Sequence, residues 1–114
     1  PQFYSKETLK NWIKSVNGIL LTALVKDNFA GFSITAYNPD SRDGYIHFIA
    51  IRDEYRRIGI GSKLLIYTLN ELEKLGCNHV YGLVQIGNES TKKFMRNHGF
   101  EIGEAFNYVQ RVLP

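Results

Sequence analysis

The chain has 114 residues, 44% hydrophobic and 22% charged, a size and balance that suit one small folded domain and exclude a two-core protein. The net charge of +3 is mild, and the basic residues are scattered except at Arg56-Arg57 and Lys92-Lys93, so no nucleic-acid partner is expected. No apolar run reaches the ~20 residues of a membrane span, and no secretory pattern opens the sequence, so the expectation is no membrane and a cytoplasmic location.

Ser5 is a helix cap ahead of Leu9, Trp12, Ile13 and Val16, whose spacing predicts an amphipathic helix over Lys6–Val16, closed by Asn17-Gly18. Ile19–Lys26 and Phe29–Tyr37 read as strands around an Asp27-Asn28 turn, forming a hairpin. Residues Asn38 to Gly44 carry a dense cluster of turn formers. Tyr45–Ile51 follows as a largely apolar, central strand.

Gly59–Leu75 is the longest predicted helix. Leu64, Leu65, Leu69, Leu72 and Leu75 share one face, and Gly76 suits the left-handed residue after the helix end. Cys77, the single cysteine, excludes an intrachain disulfide and reads as structural. His79–Val84 is predicted as a buried strand. A second helix runs from an Asn88 cap to His98, stopped by Gly99, with Lys92-Lys93 on a solvated face. Phe100–Glu104 and Tyr108–Leu113 read as a closing strand pair.

This order predicts an α/β fold, with a meander of antiparallel strands leading into a strand-helix-strand unit and hence a mixed sheet with helices on its faces. Residues 1–114 form a single domain on this reading.

The densest signal lies where the Tyr45–Ile51 strand gives way to the long helix, at Arg56-Arg57-Ile58-Gly59-Ile60-Gly61-Ser62. Gly59 and Gly61 remove side chains where backbone amides would approach a ligand. The open N–H groups and dipole of the helix's first turn favour an anion, to which Arg56, Arg57 and Ser62 add charge and a donor. The turn lacks the Gly-Lys-Ser/Thr ending of a Walker loop and the third glycine of a dinucleotide fingerprint, since Leu64 stands there.

Arg56-x-x-Gly59-x-Gly61 resembles the diphosphate-binding motif of the GNAT superfamily of N-acetyltransferases, and nearly the whole chain follows that family's order of elements. The stretches Tyr55–Gly61, Val84–Ser90 and Gly99–Ile102, with Asn107-Tyr108, most resemble protein N-terminal acetyltransferases of the NatE type. The resemblance implies a GNAT-type sheet, mostly antiparallel, with helices on both faces. It implies acetyl-CoA as cosubstrate, its diphosphate held at Arg56–Ser62, its pantetheine arm paired with Ile49, Ala50 and Ile51, and Asn88 in contact with it. The family begins with a further strand and helix that this sequence is expected to lack. Pro1 and Tyr4 resemble the Pro-x-x-Tyr of the family's peptide-binding loop, and Tyr108 the hairpin tyrosine that walls its groove.

Two positions depart from the family. Met95 stands where many relatives carry a tyrosine acid, and Leu83 where NatE-type enzymes have a histidine. Tyr45 matches the position of a catalytic tyrosine in NatE-type enzymes, and of the catalytic glutamate in histone-acetylating relatives. His47 shares its strand face, since residues two apart point the same way, and imidazole titrates in the range a base needs near neutrality. The expectation is that Tyr45 or His47 takes the amine proton through a water; the competing reading has the pair lining a groove or capping a core. The histidines lack zinc-ligand spacing, so no metal is expected. The acceptor implied is a protein N-terminus, with a small amine or a non-catalytic CoA-binding role as alternatives, and with a partner subunit or homodimer left open.

Overall fold

The computed structural model describes residues 17–114. The helix expected over Lys6–Val16, together with Pro1 and Tyr4, lies outside the described residues. Contacts divide the chain into two compact units, Pro1–Leu83 and Val84–Pro114.

Among the described residues, the first unit holds a four-stranded mixed sheet with strands in the order β1 (Gly18–Val25), β2 (Asn28–Asn38), β3 (Asp43–Ile51), β4 (His79–Gly82). β1, β2 and β3 run antiparallel, and β4 joins β3 in parallel. Lys26 (φ 49) and Asp27 (φ 68) form the two-residue turn between β1 and β2. Both central residues of such a hairpin turn must be left-handed for its twist to match the strands. This sets the turn one residue earlier than the expected Asp27-Asn28 and leaves Asn28 paired with Val25.

Between β2 and β3 the loop is confined to residues 39–42, shorter than expected, because Asn38 pairs with Asp43 and Tyr37 with Gly44. Asn38 Oδ1 accepts the Asp40 N–H at 2.9 Å, the short-range bond that makes asparagine a turn former. Arg42 (φ 61) then reaches out of this turn, donating Nε–H to Gly76 O at 2.9 Å and accepting the Asn78 N–H on its own carbonyl at 2.9 Å.

Helix α1 (Ile60–Lys74) crosses one face of the sheet. Ile60 and Leu64 pack on Ala30 with Leu21, Ala23, Val25, Ile49, Ile51 and Tyr55 around them, and Leu65 and Leu72 are fully enclosed. The expected leucine stripe holds at Leu64, Leu65 and Leu72, but Leu75 is 43% exposed and Thr68 takes the inner place between Leu64 and Leu72. Its hydroxyl donates to Leu64 O at 2.7 Å, and with that single proton committed, the Ser33 hydroxyl donates to Thr68 Oγ1 at 3.2 Å. A buried polar pair is thus satisfied within the helix–sheet interface. Gly76 (φ 88) closes α1 with Gly76 N–H on Glu73 O and Cys77 N–H on Leu72 O, both at 3.0 Å, a left-handed ending that a β-carbon would strain. Cys77 occupies that closure, in keeping with a structural role.

Thr35 presents the opposite case. It is 1% exposed, and its Oγ1 has no hydrogen-bond partner among the described residues. Replacing both shape and polarity would open a cavity, whereas Thr35→Val keeps the shape and removes only the stranded hydroxyl. The expected result is a gain of about 1 kcal/mol in urea unfolding with an unchanged denaturant slope; a loss of stability would show that the hydroxyl has a partner in solution.

β4 is shorter than the expected His79–Val84 and is not buried. It ends at Gly82, and His79, Tyr81 and Gly82 are exposed, as befits the edge of the sheet rather than its centre. The second unit holds helix α2 (Glu89–Asn97), where Asn88 Oδ1 accepts the Thr91 N–H at 3.2 Å as the expected cap, and Phe100 N–H closes on Met95 O across Gly99. Lys92 is less solvated than expected, its side chain 20% exposed with Nζ 3.4 Å from Glu89 Oε1. The expected strands Phe100–Glu104 and Tyr108–Leu113 are absent: residues 100–114 carry no regular structure, and 101–114 are exposed throughout. A two-stranded hairpin is at best marginal in water unless it joins a larger sheet or packs on a helix. The alternation of apolar residues therefore does not suffice to make these strands.

Candidate active site

Two regions of the first unit carry chemistry, both built from β3. The first is the link from its end to α1. Arg52 pairs with Glu54 at 2.8 Å, a short 3-10 turn covers Asp53–Tyr55, and Arg56 Nε lies 3.2 Å from Asp53 Oδ1 and 3.4 Å from Ile51 O. These exposed ion pairs add little stability, but they fold Arg56 back on the strand end and fix where the loop turns. Arg57 (φ 66) and Gly59 (φ 86) are both left-handed and bring the chain round into the first turn of α1.

Gly59 is the N-cap of α1 and supplies no side-chain cap. A Cβ built there would meet nothing within 4 Å, so the approach to the helix's first-turn amides is open. Arg56 and Arg57 are exposed at the same loop. Ile60 is buried beneath it, which roots the loop in the core. The amides of a helix's first turn beside two guanidinium groups form a place for a phosphate or diphosphate.

The second region is the sheet face away from α1. The register of β3 on β2 steps at His47, which falls between the pairs Thr35↔Ile46 and Ile34↔Phe48. Such a bulge re-aims the side chain at the step. The His47 ring meets Tyr45 edge to face, centroids 4.5 Å apart at 81°. Tyr45 also packs against Tyr81 of β4 at 4.9 Å, and Tyr81 stacks on His79 at 5.8 Å. His79 Nδ1 lies 3.3 Å from Asp43 Oδ1. Five titratable side chains from two neighbouring strands thus share one face, because the parallel register sets Asp43 against His79 and Tyr45 against Tyr81.

His47 is half-buried, and loss of solvent around its ring pushes its pKa below the ordinary 6.5. The imidazole is therefore neutral near pH 7 and able to accept a proton. Pairing of β4 with β3 stops at Ile46, so Ile49, Ala50 and Ile51 lie beyond β4's reach while remaining in register with β2. Ile49 and Ile51 also pack on the core beneath α1.

Asn88, Met95 and Tyr108 belong to the second unit. Asn88 is engaged as the α2 cap, Met95 is half-buried on that helix, and Tyr108 is 76% exposed in the irregular segment. Leu83, just beyond β4, is 74% exposed. His98 is the C-cap of α2 with its ring 4.9 Å from Phe94. Sequence reasoning missed Tyr81 and the Asp43–His79 pair. Their signal was present as His79 and Tyr81 spaced two apart, in the same rhythm as Tyr45 and His47. It becomes legible only with the parallel register that sets them side by side. Among the described residues, no three His, Cys, Asp or Glu side chains group as a metal ion would need.

The model of the acetyltransferase (GNAT) family matches residues 1–100. The chain belongs to this acyltransferase family. Among GNAT proteins it is similar to N-alpha-acetyltransferase 50 of Danio rerio, 44% identical over 72 residues that cover 61% of this chain and 43% of that protein. It is also similar to N-alpha-acetyltransferase 30 of Schizosaccharomyces pombe, 28% identical over 100 residues covering 85% of this chain and 67% of the relative. The match thus takes in less than half of the Danio rerio protein's length. In structure the chain is similar to an aminoglycoside N-acetyltransferase solved in complex with CoA, with a TM-score of 0.83 at 15% identity, covering 95% of this chain and 88% of that one. At that identity the likeness establishes the GNAT fold, with a sheet that is mostly antiparallel, as the family resemblance implied.

Proposed function

We infer that this GNAT chain transfers an acetyl group from acetyl-CoA to the α-amino group of a protein or peptide N-terminus. The observation that carries the reading is the contact of Tyr45 with a half-buried, neutral His47 on the sheet face beside the strand end that leads to Gly59. The N-alpha-acetyltransferase relatives support the choice of acceptor.

The open cradle at Gly59, with Arg56 and Arg57 beside it, fits the diphosphate of CoA, and Ser62 adds a hydroxyl in the first turn. The Ile49 backbone and the Ile51 N–H, on the edge of β3 that β4 does not reach, offer polar groups to an extended pantetheine arm, with Ala50 between them. When bound, acetyl-CoA supplies the thioester carbonyl that the amine attacks, and a β3 amide near Ile49 is placed to receive its oxygen.

His47 accepts the proton that the amine gives up, directly or through one water, while the Tyr45 hydroxyl orients the amine beside it. An α-amine ionises at ~7.7–8.0 against ~10.4 for lysine, so a weak base serves the first and not the second. A cysteine-like thiol ionises near ~8.5, so its release does not depend on an acid at Met95. A polycationic small amine would call for several carboxylates, and among the described residues this face shows one, Asp43, already engaged by His79.

Mass spectrometry of the protein incubated with acetyl-CoA and a library of N-terminal peptides tests the reading. Acetylation is expected on free α-amines, and far faster than on α-blocked peptides containing lysine. Equal rates on the two would overturn the choice of acceptor. Acetyl-CoA binding with no turnover on peptides, polyamines or aminoglycosides would make the chain a CoA-binding module.

A further inference from the structure

Tyr81 has no part in the chemistry above, yet the Tyr45–His47 pair leans on it. It sits opposite Tyr45 in the parallel register, and their ring centroids are 4.9 Å apart with planes tilted by 40°. Behind it, His79 stacks at 5.8 Å and 23°, and His79 is in turn held 3.3 Å from the Asp43 carboxylate. Tyr81 is 45% exposed on an edge strand of four residues, so it contributes little as a core residue. Its structural product is the placement of one neighbour. The Tyr45 ring contacts His47 along its own strand and Tyr81 across to β4. A tyrosine on a strand has more than one staggered χ1 well open to it, and two ring contacts from different directions select one of them.

We propose that Tyr81 is a positioning residue of the acceptor site, whose ring holds Tyr45 against His47 so that the Tyr45 hydroxyl meets the incoming amine within reach of the base. The assignment rests on the acetyltransferase reading above. It requires the ring of Tyr81 and not its hydroxyl, and it acts only through Tyr45.

A double-mutant cycle on acetyl-CoA-dependent peptide acetylation tests both requirements. Tyr81→Ala is expected to lower kcat by about 3- to 10-fold, the scale of one aromatic pair, with the KM for acetyl-CoA unchanged. Tyr81→Phe is expected to restore the wild-type kcat. In a Tyr45→Ala background, Tyr81→Ala is expected to cost nothing further. Tyr81→Leu, which keeps an apolar strand residue without a ring, takes the place of Tyr81→Ala if the alanine variant unfolds, and the same loss is expected.

Losses that multiply in the double variant would overturn the proposal, since Tyr81 would then act independently of Tyr45. A Tyr81→Phe variant as slow as Tyr81→Ala would do so too, because the hydroxyl would be the working group. A wild type that acetylates no amine would overturn the acetyltransferase reading and this inference with it. An active wild type matched by Tyr81→Ala would overturn this inference alone.

Discussion

His47→Ala is expected to lower kcat/KM for an N-terminal peptide about 100-fold at pH 7, the lower end of what a positioned general base supplies, while leaving the KM for acetyl-CoA unchanged. The pH profile identifies the cause. In the wild type two groups must be unprotonated, the acceptor amine and His47. Burial places the His47 pKa below 6.5, so the base is already neutral at pH 7 and is lost only as the pH falls through that lowered value. Between the His47 pKa and the amine pKa of ~7.7–8.0, log kcat/KM should climb with slope one as pH rises, because only the amine is still titrating. Below the His47 pKa the slope should become two. The variant should show slope one throughout. A wild-type rate, or a slope of two retained by the variant, would remove His47 from the chemistry and leave it as a wall of the groove.

The second large effect is expected at Gly59. Its φ of 86 is a conformation that a β-branched residue adopts only under strain, of roughly 1–2 kcal/mol. The space beyond it is the approach to the α1 amides. Gly59→Val should therefore raise the KM for acetyl-CoA at least about 10-fold, through strain in the loop and obstruction together, with kcat recovered largely at saturation. Gly59→Asn separates the two contributions, because asparagine tolerates the left-handed region but still projects a side chain towards the ligand. A raised KM in both variants marks obstruction, and one confined to valine marks strain. An unchanged KM in both would place the CoA diphosphate elsewhere.

Much of the sheet was legible because its signals are local. The β1–β2 hairpin, the Asn38–Gly44 turn cluster and the α1 stripe each express a period or a turn preference within a few residues. Their ends moved by one or two positions, for reasons that only pairing supplies: Asn28 is claimed by Val25, and Asp43 and Gly44 by β2. Thr68 was passed over because a hydroxyl counts as polar in the sequence, whereas in the helix it can spend its proton on Leu64 O and turn inwards. Residues 100–114 erred in the other direction. Alternating apolar residues resemble strands whether or not an edge exists for them to join.

The site divided along the same line. The loop at Arg56–Ser62 is contiguous, so its spacing announced it. The His47 step in β3 is a property of two strands and cannot be seen in one. Tyr81 could not be placed beside Tyr45 before β4 was known to run parallel to β3, with the register beginning at Asp43↔His79.

Parallel strands find one another late in folding, because the chain between them must be closed before any pairing can reward the closure. Here the connection from β3 to β4 includes all of α1, and the ladder it must reach is four residues long. Arg42 shortens that search. It emerges from the locally formed β2–β3 turn, grips Gly76 O with its side chain and takes the Asn78 N–H on its carbonyl, so the residue before β4 is anchored to the residue before β3. Once α1 has docked, β4 has a fixed origin and only needs to zip. Without that anchor a slip by a single residue would turn Tyr81 to the α1 side of the sheet. The side of the sheet on which Tyr81 emerges is thus tied to an exposed arginine in a turn, outside the parallel ladder itself.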